Sequence, residues 1–169
     1  MPLTEYRKKR NFAKTPEPAR PAAKKKTGLV YVVQKHDASR LHYDLRLEMD
    51  GVLKSWALPK EPPNEPGVKR LAVPTEDHPL GYESFEGVIP EPEYGAGRVE
   101  IWDSGEYVPL ESGPDRMVIE VRGRRLQGRF ALVRIKNRDR KGGFVWLFFK
   151  AGGSETKKGP GKKAPGGKS

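Results

Sequence analysis

The sequence predicts one mainly β domain, a single barrel of about eight strands with few short helices and flexible basic termini. Three observations predict it. Short runs rich in Val and aromatic residues recur through the middle of the chain, Gly and Pro punctuate them, and no amphipathic helix of useful length interrupts them. The length of 169 residues suits one domain. The aliphatic and aromatic share is only 35%, so a core forms only if much of the chain, chiefly both ends, stays outside it. The expected division is a basic arm over 1–27, partly draped on the domain, a barrel over 28–150, and a disordered Lys/Gly/Pro tail over 151–169.

In chain order, Tyr6 and Phe12 offer apolar anchors in the arm, and three prolines with a Lys triplet make 13–27 a linker or draped segment. Leu29–Lys35 reads as a strand. Leu41–Met49 alternates strictly: Leu41, Tyr43, Leu45, Leu47 and Met49 face one way, and His42, Asp44, Arg46 and Glu48 the other. Asp50-Gly51 signals a two-residue hairpin turn, with Val52–Leu58 returning. Such a turn puts Arg46 opposite Ser55 and Asp44 opposite Ala57, two small residues that leave the face above them uncrowded. Further strands are expected at Arg70–Val73, Arg98–Asp103, Glu106–Leu110, Met117–Val121, Arg129–Lys136 and Phe144–Lys150.

The net charge of +11 is unevenly placed. Residues 1–27 hold nine Lys/Arg against two Glu, residues 151–169 hold five Lys against one Glu, and 28–150 holds nineteen of each sign. The whole excess therefore sits in the ends, where it suits a polyanionic partner or simple solubility. The basic stretch 116–141 is either a weak contact for a nucleic acid backbone or the outer faces of strands. With no cysteine, disulfides and thiolate metal sites are excluded. No apolar run approaches the roughly 18 residues of a membrane span, and no secretory signal is evident, so a cytoplasmic, monomeric protein without a membrane partner is expected.

The histidines carry the chemistry. Two of the three lie in His36-Asp37-Ala38-Ser39-Arg40-Leu41-His42-Tyr43-Asp44-Leu45-Arg46. On the alternating strand, His42, Asp44 and Arg46 share a face with Cα atoms about 6.5–7 Å apart in turn. His36 can fold back across the turn as a third donor. Two imidazoles and a carboxylate suit Mn, Zn or Fe(II), and Arg46 would meet a phosphate beside the ion. Alternating polar residues equally describe the wet face of a strand, so this pattern by itself leaves both readings open.

The neighbouring blocks narrow the choice. His36–Arg46, Lys54-Ser55-Trp56-Ala57-Leu58-Pro59-Lys60, Lys69–Val73, Glu76-Asp77-His78-Pro79-Leu80-Gly81-Tyr82 and Tyr94-Gly95-Ala96-Gly97 follow in that order, after Tyr6–Phe12 and Thr15–Pro18. Together they resemble the 3'-phosphoesterase domain of bacterial ATP-dependent DNA ligase D, over roughly residues 4–150. The resemblance implies a β-barrel with a divalent metal, Mn first and Zn or Co next. It also implies a phosphodiesterase that removes a 3'-terminal ribonucleoside and a phosphomonoesterase that leaves a 3'-OH, in DNA repair by non-homologous end joining. By position it makes His36, His42 and Asp44 the metal ligands and puts Arg46 and His78 beside the scissile phosphate. Arg10, Lys60, Arg70 and Tyr82 match positions that orient or neutralise phosphate, and Glu17 and Glu76 match supporting ones. The implied partners are the 3' end of a DNA or DNA/RNA primer strand and a DNA ligase acting in trans. Three positions depart from the family pattern: Asn11 stands where Asp is expected, and Glu61 and Pro92 replace glycines. His78 is expected to donate a proton to the leaving oxygen or to stabilise the charged transition state, with a pKa near working pH. The rival function is a non-catalytic barrel that binds nucleic acid ends and recruits a repair ligase.

Overall fold

The computed structural model describes residues 3–18, 28–138 and 144–151. The tail assigned to 151–169 lies outside them except for Ala151, and so does the linker over 19–27. Among the described residues nine strands form, β1 (Leu29–Asp37), β2 (Leu41–Met49), β3 (Val52–Leu58), β4 (Lys69–Pro79), β5 (Gly87–Ile89), β6 (Gly97–Ser112), β7 (Arg116–Arg122), β8 (Gln127–Arg138) and β9 (Phe144–Lys150). They hydrogen-bond in the order β1-β2-β3-β4-β9-β8-β7-β6, and β6 pairs back onto β1. Eight antiparallel strands thus close a barrel in which each is paired on both sides. The short β5 adds to the first residues of β6. One short helix, α1 (Thr4–Lys8), precedes the barrel, and a 3-10 turn spans Tyr82–Ser84. Among the described residues no helix is long and apolar enough to cross a membrane.

The Asp50-Gly51 turn sets the β2–β3 register as expected, with Arg46 opposite Ser55 and Asp44 opposite Ala57. Both turn residues have positive φ, 54° and 82°, as a two-residue hairpin of this kind requires. Four elements differ from the sequence reading. The expected strands Arg98–Asp103 and Glu106–Leu110 are one strand, because the intervening Ser104 and Gly105 stay paired to Val32 and Tyr31. Gly105 is there for closeness: a Cβ on it would lie 2.1 Å from the Arg122 carbonyl oxygen, where β6 takes up β7 as a partner. The strand expected at Arg70–Val73 continues to Pro79, paired across Val52, Leu53 and Ser55. β5 and α1 are too short to leave a periodic signal.

Alternation along β2 has its expected inward face. Leu45 and Leu47 are fully buried with Tyr31, Val33, Phe130, Leu132 and Phe148 in the barrel interior. The opposite face is not solvated. Asp44, Arg46 and Glu48 are buried too, because a second apolar cluster of Tyr6, Leu53, Tyr82, Phe85, Ile89 and Val99 lies on the outside of the barrel. Residues 3–18 and the β4–β6 connection build that cover. Tyr6 is fully buried, and its hydroxyl donates to the Pro18 carbonyl oxygen.

Asp103, on β6, is a second polar anchor of the barrel. Its carboxylate accepts from the Tyr31 hydroxyl at 2.8 Å and from the backbone N–H groups of Arg124, Arg125 and Leu126 at 2.8–3.0 Å. A buried charge with four donors is satisfied, and removing it orphans all four. Asp103→Ala is therefore expected to lose at least about 2 kcal/mol of stability. The midpoint of urea unfolding measures this, and an unchanged midpoint contradicts it.

Candidate active site

The turn between β1 and β2 places His36 directly opposite His42. With Asp44 two residues further along β2, one donor atom of each lies within 4.8 Å of the others. His36 Nδ1 is 3.6 Å and His42 Nε2 is 3.4 Å from the same Asp44 oxygen. The other nitrogen of each ring faces a backbone carbonyl: His36 Nε2 lies 2.6 Å from Gly95 O, and His42 Nδ1 lies 3.0 Å from Arg40 O. A carbonyl can only accept, so these contacts put an N–H on each outer nitrogen and turn the inner nitrogens toward Asp44, as lone pairs in a neutral imidazole and as donors in a charged one. Two lone pairs and a carboxylate converging on one point fit a divalent cation.

Arg46, two residues beyond Asp44, is buried and held at every nitrogen. Nε donates to Gln34 Oε1 at 2.6 Å, Nη1 to Ser55 Oγ at 2.9 Å, and Nη2 to Asp44 Oδ2 at 3.4 Å. His78, on β4, stands between two guanidiniums. Its Nδ1 is 3.0 Å from the Glu76 carbonyl oxygen and 3.3 Å from Arg46 Nη1, and its Nε2 is 3.3 Å from Arg10 Nη2. The consistent tautomer has Nδ1–H donating to Glu76 O and Nε2 accepting from Arg10. Arg10 is itself forked between two carboxylates, Glu17 at 2.9 Å and Glu76 at 3.2 Å. The Tyr82 hydroxyl donates to Glu17 at 2.5 Å, and its ring lies 5.0 Å from the Arg46 guanidinium carbon.

One open cleft of about 220 Å³ is lined by Arg10, Glu17, His36, His42, Asp44, Arg46, Glu76, His78 and Tyr82, nine of the eleven residues the sequence singled out. The other two are not among its walls. Lys60 is exposed, and Arg70 donates through Nε to the Glu61 carbonyl oxygen at 2.7 Å. Asn11 is exposed and caps its own turn, accepting from Ala13 N–H. Sequence reasoning passed over Gln34, which is fully buried and ties Arg46 to the 3-10 turn by donating to Tyr82 O and Phe85 O. Its signal was a lone polar residue in an apolar run, two positions before His36 on the same face. Ser55 is a ligand of Arg46 rather than a gap above it. Thr75 also lines the cleft and carried no motif of its own, and Tyr94 lines it from the Tyr94–Gly97 block, where sequence reasoning assigned it no role.

Residues 34–134 match the family described as the DNA Ligase D 3'-phosphoesterase domain. The chain is 50% identical over 163 residues to the multifunctional non-homologous end joining protein LigD of Pseudomonas aeruginosa, covering 92% of this chain and 19% of that protein. It is 51% identical over 138 residues to the protein of the same name from Mycobacterium bovis, covering 78% and 18%. With that of Mycolicibacterium smegmatis it shares 48% over 150 residues, covering 81% and 20%. The chain thus spans about a fifth of the length of these relatives.

The electrostatics of the cleft separate its histidines. Burial alone would raise the Asp44 pKa. The Arg46 charge and the contacts with His36 and His42 outweigh it and hold the carboxyl far below the usual range. For His42 burial opposes protonation, but the Asp44 carboxylate wins and raises the pKa. His78 goes the other way: burial, then the charges of Arg46 and Arg10, push it well below the ordinary value. The expectation that His78 titrates near working pH is corrected accordingly, since only the fold puts two guanidiniums beside it. In the metal-free protein, the His42 ring should titrate above the ordinary value of 6.5 and the His78 ring well below it. Because folded His78 lies below its unfolded value, the stability it confers is complete above about pH 6.5 and is lost as pH falls toward the folded pKa. An NMR pH titration reads both, and a His78 midpoint near 6.5 contradicts this electrostatic picture.

Proposed function

Since the chain belongs to the DNA ligase D 3'-phosphoesterase domain family, we propose that it is a metal-dependent phosphoesterase that trims the 3' ends of nucleic acid strands in end-joining DNA repair. The single observation that carries this reading is the convergence of His36, His42 and Asp44 with a buried arginine bound to the same carboxylate. On this reading the enzyme removes a 3'-terminal ribonucleoside and then the remaining phosphate, leaving a 3'-OH for a ligase. His36, His42 and Asp44 would hold the cation, Mn in preference to Zn or Co. When bound there, a cation of this kind supplies Lewis-acid charge to phosphoryl oxygens and lowers the pKa of a water molecule.

The chain's own residues do the rest. Arg46, immobilised by Gln34 and Ser55, offers a preorganised positive charge to the phosphate and costs no reorganisation at the moment of reaction. His78 has its Nε2 toward Arg10 and its Nδ1 toward Arg46. An arriving phosphate offsets the two guanidinium charges that depress it, so its capacity to carry a proton to the leaving oxygen is coupled to substrate occupancy. Arg10 acts through the Glu17 and Glu76 carboxylates that grip it, which makes it a holder of the His78 side of the cleft as well as a source of charge. Tyr82 and its Glu17 partner brace the Arg46 guanidinium. Lys60 and Arg70, away from the cleft, meet phosphates further along the strand. Recognition of backbone and terminus rather than sequence makes affinity fall with salt.

The test is a labelled strand ending in one ribonucleotide, incubated with Mn or with chelator. Shortening at the 3' end with Mn alone is expected, whereas binding without shortening supports the non-catalytic module, and internal cuts indicate an endonuclease. His78→Ala should lower turnover by roughly 10²-fold or more while Mn affinity, measured by calorimetry, stays near wild type. Asp44→Ala should lose both. Equal loss of both in His78→Ala would remove His78 from the chemistry.

A further inference from the structure

Tyr94 has no part in the chemistry above, yet it lines the same cleft and is 48% exposed. Of the five large apolar or aromatic side chains exposed among the described residues, only Tyr94 is also a wall of the cleft. An aromatic face kept wet at the rim of a charged cleft is the arrangement by which proteins hold unpaired bases, since every base has a π-face to stack.

The loop that carries Tyr94 is fixed at several points. Two successive turns close it, Glu93 N–H to Pro90 O at 2.9 Å and Ala96 N–H to Glu93 O at 3.1 Å. Gly95 takes φ +77°, which a side chain would resist, and its carbonyl oxygen is the acceptor that orients His36. Gly97, with φ +140°, brings the loop end so close to β1 that a Cβ would lie 2.3 Å from Asp37 O. Tyr94 is therefore one residue from the carbonyl oxygen that orients the His36 ring, and its distance from the donor cluster is set by backbone. From the other side, Lys9 Nζ donates to the Tyr94 hydroxyl at 3.3 Å and lies 4.7 Å from the ring centroid. The Arg10 guanidinium carbon is 5.5 Å from the same centroid.

We propose that Tyr94 and Lys9 form a nucleoside subsite at the rim, in which the ring stacks on the base of the strand's terminal nucleotide and Lys9 faces the adjoining phosphate. The ligand class is an unpaired 3'-terminal nucleotide of any base, because stacking carries little sequence information. This subsite rests on the phosphoesterase reading and assigns the part of the substrate that the metal donors and Arg46 do not touch.

The full chain is tested with Mn on two strands, one ending in an intact ribonucleotide and one whose terminal nucleotide lacks its base. Tyr94→Ala should raise KM for the intact strand about tenfold, equivalent to about 1.4 kcal/mol, with kcat little changed. On the base-less strand the wild type should already show that loss, and Tyr94→Ala should add nothing to it. Tyr94→Phe and Tyr94→Trp should keep the wild-type KM. Additive losses from the mutation and the missing base would overturn the proposal. So would a fall in kcat of equal size on both strands, which would mean that Tyr94 acts through Gly95 and His36. If the wild type cuts neither strand, the phosphoesterase reading fails on its own. Fluorescence anisotropy of the same two strands then decides the subsite: weaker binding of only the intact strand by Tyr94→Ala supports it, and no difference from wild type overturns it.

Discussion

Asp44 is a carboxylate almost wholly removed from water, and a buried negative charge persists only where positive charge or donors surround it. Three neighbours answer that need, the His36 and His42 rings and the Arg46 guanidinium, all meeting the same oxygen within 3.4–3.6 Å. The remaining cleft residues are arranged around this demand. Backbone carbonyls at Gly95 and Arg40 set the imidazole tautomers, and Gln34 and Ser55 hold the arginine at the distance where it still serves Asp44.

The cations further out are balanced in the same way. Arg10 is nearly buried, and two carboxylates from different parts of the chain, Glu17 and Glu76, divide its charge. That fork fastens residues 3–18 to β4 and so closes one wall of the cleft with polar contacts, while Tyr6 closes it with apolar ones. Packing and charge are coupled here. The same segment that removes the outer face of β2 from solvent also supplies the groups that its buried charges require.

Placing a polar constellation on the outside of a barrel separates two tasks. The interior, filled by Leu45, Leu47, Phe130, Leu132 and Phe148, provides rigidity. The exterior face of β1, β2 and β3 presents side chains at fixed strand spacings, and the covering segments decide how much water reaches them. Alternation along a strand puts both tasks in one stretch of sequence, which is why Leu41–Met49 serves core and cleft together.

Much of this was legible in the chain itself. Period-two alternation and the Asp50-Gly51 turn determined the β2–β3 hairpin and its register, because both are local and depend on pleat and turn geometry alone. The same alternation put His42, Asp44 and Arg46 on one face, and the matched blocks pointed to the family. Tertiary structure alone decided that this face is buried, that Gly105 is a crossing rather than a break, and that His78 lies between Arg46 and Arg10. It also decided that Lys60 and Arg70 stand off the cleft, that Tyr94 lines it, and that the buried Gln34 holds Arg46. The reason is range: strand periodicity fixes directions over a few residues, whereas burial and electrostatic environment come from segments brought together across 30 to 70 positions of sequence.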